Sequence, residues 1–145
     1  MKKKGVNRTT AVVLLCWMLT AGVIFCLAWN NRQVTLVGES EHWRGTLSIP
    51  RPGDPLRDTV EGACFVLTWI GSREEYRQYG RVEYHLELYG GGGYSHSVNG
   101  ERGDLSRQLV NEHMSVGWVF WNNPQASVSV SLDGGPTEEF ALTVK

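Results

Sequence analysis

The sequence predicts a mainly β protein: an antiparallel β-sandwich or small barrel-like domain that follows a single N-terminal transmembrane helix. Three observations carry that expectation. Residues 11–29 (AVVLLCWMLTAGVIFCLAW) hold no formal charge, most of residues 30–145 alternate polar and apolar with a period near two, and glycine and proline clusters punctuate the alternation.

The apolar run comes first. Nineteen residues at about 1.5 Å rise make a helix of roughly 28 Å, near the thickness of a bilayer's hydrocarbon core. Lys2, Lys3, Lys4 and Arg8 precede it and the next basic residue is Arg32, so the positive-inside bias keeps residues 1–10 cytoplasmic and places 30–145 outside the cell membrane. A cleaved signal peptide is the rival, with Cys26 and Ala28 as the small residues before a cut. Its apolar core is usually only about 7–15 residues long, which favours the uncleaved anchor. Lipid attachment at Cys16 or Cys26 and a prepilin-type start fit less well, because the residues around them lack the small or acidic positions those signals need.

The exported part predicts its strands in order. Gln33–Val37 reads as a short first strand and His42–Ile49 as a second, with Trp43, Leu47 and Ile49 on one side. Pro50, Pro52, Gly53 and Pro55 make 50–58 an irregular connection, since proline lacks the donor a central ladder needs. Ala63–Ile70 is apolar on both faces and reads as a central strand covered on both sides, or as a strand with an exposed aromatic face. Ser72 and Glu75 form a capping box for a turn or two of helix around 73–79. The cleanest alternation is Arg81–Tyr89, with Val82, Tyr84, Leu86 and Leu88 opposite Glu83, His85 and Glu87. Leu105, Leu109 and Met114 suggest a second short helix with Asp104 at its start, and Val116–Trp121 a second strand apolar on both faces. Ser127–Leu132 and Glu138–Val144 flank Asp133-Gly134-Gly135-Pro136 and predict a C-terminal hairpin.

Charge and cysteine usage narrow the function. Residues 30–145 carry ten Lys plus Arg against fifteen Asp plus Glu, which argues against nucleic acid as a partner. Cys64 is the one cysteine of that region, so an internal disulfide cannot form there and a buried thiol is expected. No hydrolase elbow or zinc-protease histidine pair occurs. His85, Glu87 and His96 would make a metal site only in one particular strand register, and an ordinary solvated face is the simpler reading. Gly90–Gly93 lacks the lysine and helix of a phosphate loop, and reads as a flexible hairpin tip. Asp54, Asp58, Glu74 and Glu75 single out no catalytic pair. No catalytic, cofactor-binding or metal residue is therefore assigned, and an enzyme is not expected.

Aromatic residues point instead to binding. Trp43, Trp69, Trp118 and Trp121 are many for so small a domain, and Trp118 and Trp121 face opposite ways in a regular strand. The expectation is an envelope-assembly or protein–protein interaction module, with contacts at Trp121, Tyr89, Tyr94 and Arg77 to another surface protein or to a second copy. A glycan-binding module is the alternative, and a small hydrolase a distant third. Arg102-Gly103-Asp104 resembles the adhesion tripeptide of integrin ligands over three residues, and Asp104 has the competing role of starting a helix.

Overall fold

The computed structural model describes residues 8–30, 33–51, 58–117, 120, 121 and 123–145. They divide into two compact units, 1–32 and 33–145.

The first unit holds helix α1, Arg8–Asn30. Its described side chains, 12–14 and 16–25, are exposed around the whole circumference, Trp17 and Met18 at 72% and 66% among them. Among the described residues no helix is long and apolar enough to cross a membrane, in contrast to the span expected over residues 11–29.

The second unit is mainly β. Eight strands, β1 (Gln33–Glu39), β2 (Trp43–Pro50), β3 (Thr59–Trp69), β4 (Arg81–Leu88), β5 (Gly93–Asn99), β6 (Gln108–Gly117), β7 (Ala126–Leu132) and β8 (Thr137–Val144), form one antiparallel sheet in the order β5-β4-β7-β8-β1-β2-β3-β6. Alternation explains the curl of this sheet: Leu36, Leu47, Ile49, Phe65, Leu67, Val82, Leu86, Val128 and Leu142 all sit on one surface and are almost completely buried. They can leave water only if the sheet folds over on itself. Phe65 of β3 and Tyr84 of β4 meet across that interior with ring centroids 5.5 Å apart.

The fold-over happens at β1 and β8. Their ladder has only two pairs, Leu36 with Val144 and Val37 with Thr143, extended by the Lys145 N–H donating to the Thr35 carbonyl at 3.0 Å. Beyond Val37, β8 swings over the inner surface of β1. A Cβ on Gly38 would lie 2.1 Å from the Ala141 carbonyl oxygen, and one on its cross-strand partner Gly45 would lie 3.0 Å from both Leu142 and Phe140 side-chain carbons. This glycine pair is the notch through which the corner passes.

On the opposite side the free edges, β5 and β6, are bridged by a side chain. The Tyr94 hydroxyl donates to the Ser115 carbonyl and accepts from the Ser115 N–H at 2.9 Å, doing the work of one ladder residue. The fold thus lies between the two expected architectures, a curled sheet whose last seam is held by a phenol.

Three expectations are corrected. The second short helix over Leu105, Leu109 and Met114 is instead a bend at Leu105 followed by β6, which holds Leu109 and Met114. Its pairing with β3 shifts register between Ala63 and Phe65, and the residue inserted on β6 leaves His113 at φ 62°. That bulge puts Leu109 and Met114, an odd number of residues apart, on the same buried face, a spacing that imitates a helix. A compensating bulge at Gly62 (φ 84°) on β3 restores the register. The strand expected over Val116–Trp121 ends at Gly117; Phe120 and Trp121 are helical in backbone, and Trp118 lies outside the described residues. Finally, β3 is covered on one face, its outward residues Cys64, Val66 and Thr68 being half-buried. Burial pushes the Cys64 thiol pKa up, with a smaller push from Glu112.

Tyr94→Phe should lower stability by about 1 kcal/mol, the net worth of a hydrogen-bonded hydroxyl. Gly38→Ala should cost more, about 2–4 kcal/mol, because the clash is with backbone. Urea denaturation of both variants measures the order, and equal losses would contradict the notch.

Candidate functional site

At the end of the sheet where β1 turns into β2, three local structures converge. The β1–β2 turn is tight: the Ser40 N–H donates to the Trp43 carbonyl at 2.8 Å, and the Ser40 hydroxyl accepts from the Trp43 N–H at 3.2 Å. After β3, helix α2 (Arg73–Tyr76) begins as its capping box predicts, Ser72 accepting from the Glu75 N–H at 3.1 Å. The β7–β8 hairpin turns at Asp133 and Gly134, both at positive φ (49° and 71°). Asp133 also ties the hairpin to β4, accepting from the Gly80 and Arg81 N–H groups at 3.0 and 2.7 Å.

Between these turns lies a cleft of about 510 Å³, lined by His42, Trp69 and Tyr79 and by four carboxylates, Glu41, Glu75, Glu138 and Glu139. His42 is its centre. Nδ1 lies 2.7 Å from Glu138 Oε1, the His42 N–H donates to Glu138 Oε2 at 3.3 Å, and Nε2 lies 3.7 Å from Glu75 Oε1. The ring stacks on Trp69, centroids 5.0 Å apart and planes 14° apart. Gly71 makes that possible, since a Cβ there would lie 2.7 Å from the Trp69 ring and 2.9 Å from the His42 ring.

Trp69 is the fixed wall. Its Nε1–H donates to the Ser72 carbonyl at 2.8 Å, and its ring contacts Trp43 edge-on and stacks with Tyr76, both at 5.1 Å. The Tyr76 hydroxyl donates to the Ser106 carbonyl at 2.8 Å, and burial pushes its pKa up to about 12 despite the opposing influence of Arg107. Arg107 Nη2 in turn donates to the Trp69 and Gly71 carbonyls, each at 3.3 Å. The platform beneath the imidazole is rigid on every side the fold offers.

Electrostatics follow from this geometry. The hydrogen bond to Glu138 raises the His42 pKa; partial burial works against it, and the charges of Glu138, Glu75 and Glu41 add to the rise. Burial would raise Glu138, but hydrogen bonds from the Ser40 hydroxyl and from the His42 ring and backbone outweigh it and hold the carboxyl low. His42 thus stands between two carboxylates that favour its protonated form, and the Ser40 proton is committed to Glu138. That is the reverse of a serine–histidine nucleophile pair, where the imidazole must be free to take the hydroxyl proton. Among the described residues no lysine or arginine lines the cleft, so His42 faces four carboxylates.

The four residues expected at an interface are not brought together. Arg77 is exposed at the C-cap of α2, its N–H returned to the Arg73 carbonyl. Tyr89 is 52% exposed at the other end of the sheet, on a separate cleft of about 720 Å³ shared with Leu88, Pro124, Ala126, Leu142 and Val144. Tyr94 is the seam residue, and Trp121 is half-buried against the core. His85 and His96 point to opposite faces: His85 meets the Ser95 hydroxyl at 2.8 Å, whereas His96 lies beside the Tyr84 ring at 5.7 Å. Among the described residues no three potential ligands gather for a metal ion. Arg102-Gly103-Asp104 occupies an exposed turn closed by the Asp104 N–H on the Glu101 carbonyl at 3.0 Å, and a strand, not a helix, follows.

No protein-family model matches the chain, and neither a curated protein nor a solved structure is similar to it.

The sequence signals for His42, Trp69, Glu75 and Glu138 were separately ordinary. His42 and Glu138 stand 96 positions apart and meet only because β8 folds back to β1.

The cleft predicts a definite pH profile. A histidine raised on folding stabilises fully below its unfolded value of about 6.5, and that contribution is lost as pH climbs through the raised folded value. The side chains of His42 and Glu138 are 24% and 28% exposed, so the loss should be about 1 kcal/mol after screening. On the acid side, the lowered Glu138 stabilises above about pH 4.5, and its contribution is lost as pH falls through its folded value. Denaturant midpoints between pH 5.5 and 9 should show the alkaline loss in the wild type and a smaller one in Glu138→Gln, where the charges of Glu75 and Glu41 remain; an identical slope in both would refute the assignment.

Proposed function

We propose that the chain is a membrane-anchored extracytoplasmic module that binds a protein partner and does no chemistry of its own. Residues 11–29 are the anchor in this reading: they hold no charge, a basic cluster precedes them, and the described part of that run belongs to a helix whose apolar residues face outward all round. Such a surface is costly in water and at home in lipid. The partner is another envelope or surface protein, or a second copy of the chain.

The observation that carries the binding role is the His42 cleft. Four carboxylates beside the half-buried Tyr79 suit a guanidinium or ammonium group, which gains chiefly from charge. Arginine is the better fit, being planar and always charged. Trp43 and Trp69 are 1% and 2% exposed, so neither offers an open face to a sugar ring, and this weighs against the glycan alternative.

Two experiments test the proposal. Protease added to spheroplasts should digest residues 30–145 while a cytoplasmic control survives. Crosslinking in intact membranes should recover a discrete protein adduct, reduced at least about fivefold by Glu41→Lys with Glu139→Lys, two lining positions that make no ion pair with His42. Protection from protease removes the topology, and adduct yield unchanged by the charge reversal removes the cleft from the interface.

A further inference from the structure

Among the described residues that line the cleft, the group able to carry positive charge is the protein's own His42. His42 Nδ1 stands at hydrogen-bond distance from Glu138 and Nε2 faces Glu75 at 3.7 Å. These two carboxylates face the ring that stacks on Trp69, and a guanidinium entering the cleft would compete for them. We propose that His42 is a built-in competitor for this cleft: the imidazolium charge is shared between Glu138 and Glu75, and deprotonation, which leaves the Nδ1–H on Glu138, removes that charge and the Nε2 proton facing Glu75 and so opens the cleft to an arginine side chain brought by the partner. This rests on the binding role proposed above and adds its regulation.

Geometry favours a switch over a passive brace. His42 comes from the β1–β2 turn, Glu75 from α2 and Glu138 from β8, so one proton joins three elements. The ring is stacked but not enclosed, its side chain being 24% exposed, so it can exchange its proton with solvent without unfolding. The other charged or titratable groups facing it are Glu41 on its own turn, Glu139 on β8 and Tyr79 after α2. Arg107 stands behind Trp69, bound to backbone carbonyls, and does not line the cleft. His42 is the histidine of that lining, and histidine is the side-chain type whose charge changes near neutral pH.

Linkage sets the sign. A ligand that binds the deprotonated cleft more tightly releases a proton on binding, so its affinity rises with pH through the His42 titration. Surface charge pairs in general would show no such step, because neither arginine nor carboxylate titrates there.

The test uses the full chain in uncharged detergent micelles and a capped peptide of six arginines, whose charge is constant over the range. Isothermal titration at fixed ionic strength should show its Kd falling by about three- to tenfold between about pH 6 and pH 8.5, with proton release detected by repeating the titration in buffers of different ionisation heat. His42→Gln should bind with a pH-independent Kd. Glu75→Gln, which keeps the Glu138 bond, should still show a step, moved to lower pH. Binding that is present but flat with pH in the wild type overturns the competitor role and leaves the cleft as a binding site. Absence of binding at every pH overturns the binding role beneath it.

Discussion

A sheet with one apolar face must hide that face, and here it does so by turning back on itself within two ladder pairs at β1 and β8. Everything else in the domain hangs on that corner. It requires β8 to pass closer to β1 than side chains allow, so Gly38 and Gly45 stand opposite one another where it crosses. Two small residues in register across a ladder are a weak feature locally, since glycine in a strand has no side chain to pack and loses more entropy on ordering. The loss is repaid by the interior they permit, in which Phe65, Tyr84, Phe140 and Leu142 close over one another.

The corner also creates the cleft. Folding β8 onto β1 carries its first residues to the β1–β2 turn, where Glu138 meets both the ring and the backbone of His42. The aromatic wall comes from the next strand in the meander, and α2 supplies the second carboxylate. The far seam, between β5 and β6, needs no precise apposition and is held by Tyr94 alone among the described hydrogen bonds between those strands. One end of the molecule is thus closely determined and charged, while the other carries the glycine tip at Gly90–Gly92 and a more apolar cleft.

Much of the fold was legible because local physics and global fold agree there. Arg81–Leu88, Ala126–Leu132 and Thr137–Val144 alternate in sequence and alternate in burial, and the capping serine and the Asp133-Gly134 turn are where their chemistry puts them. The reading failed at β6, where the bulge at His113 breaks the period of two and gives Leu109 and Met114 a helical look. It failed again at Trp121, because β6 ends at Gly117 and Phe120 and Trp121 are helical. The site was illegible for another reason: a histidine, a tryptophan and two glutamates far apart in the chain carry no spacing signal, and only the corner makes them neighbours. Exposed tyrosine and arginine, chosen for their interface chemistry, proved to be scattered over both ends.

The account stands on the contact between His42 and Glu138, and a double-mutant cycle on that pair reads it most directly. With His42→Gln, Glu138→Gln and the double variant measured by denaturation at pH 6, the two changes should be non-additive by about 1 kcal/mol. Additive losses, within about 0.3 kcal/mol, would mean that the two side chains do not meet, and the corner that brings β8 to the β1–β2 turn would be wrong.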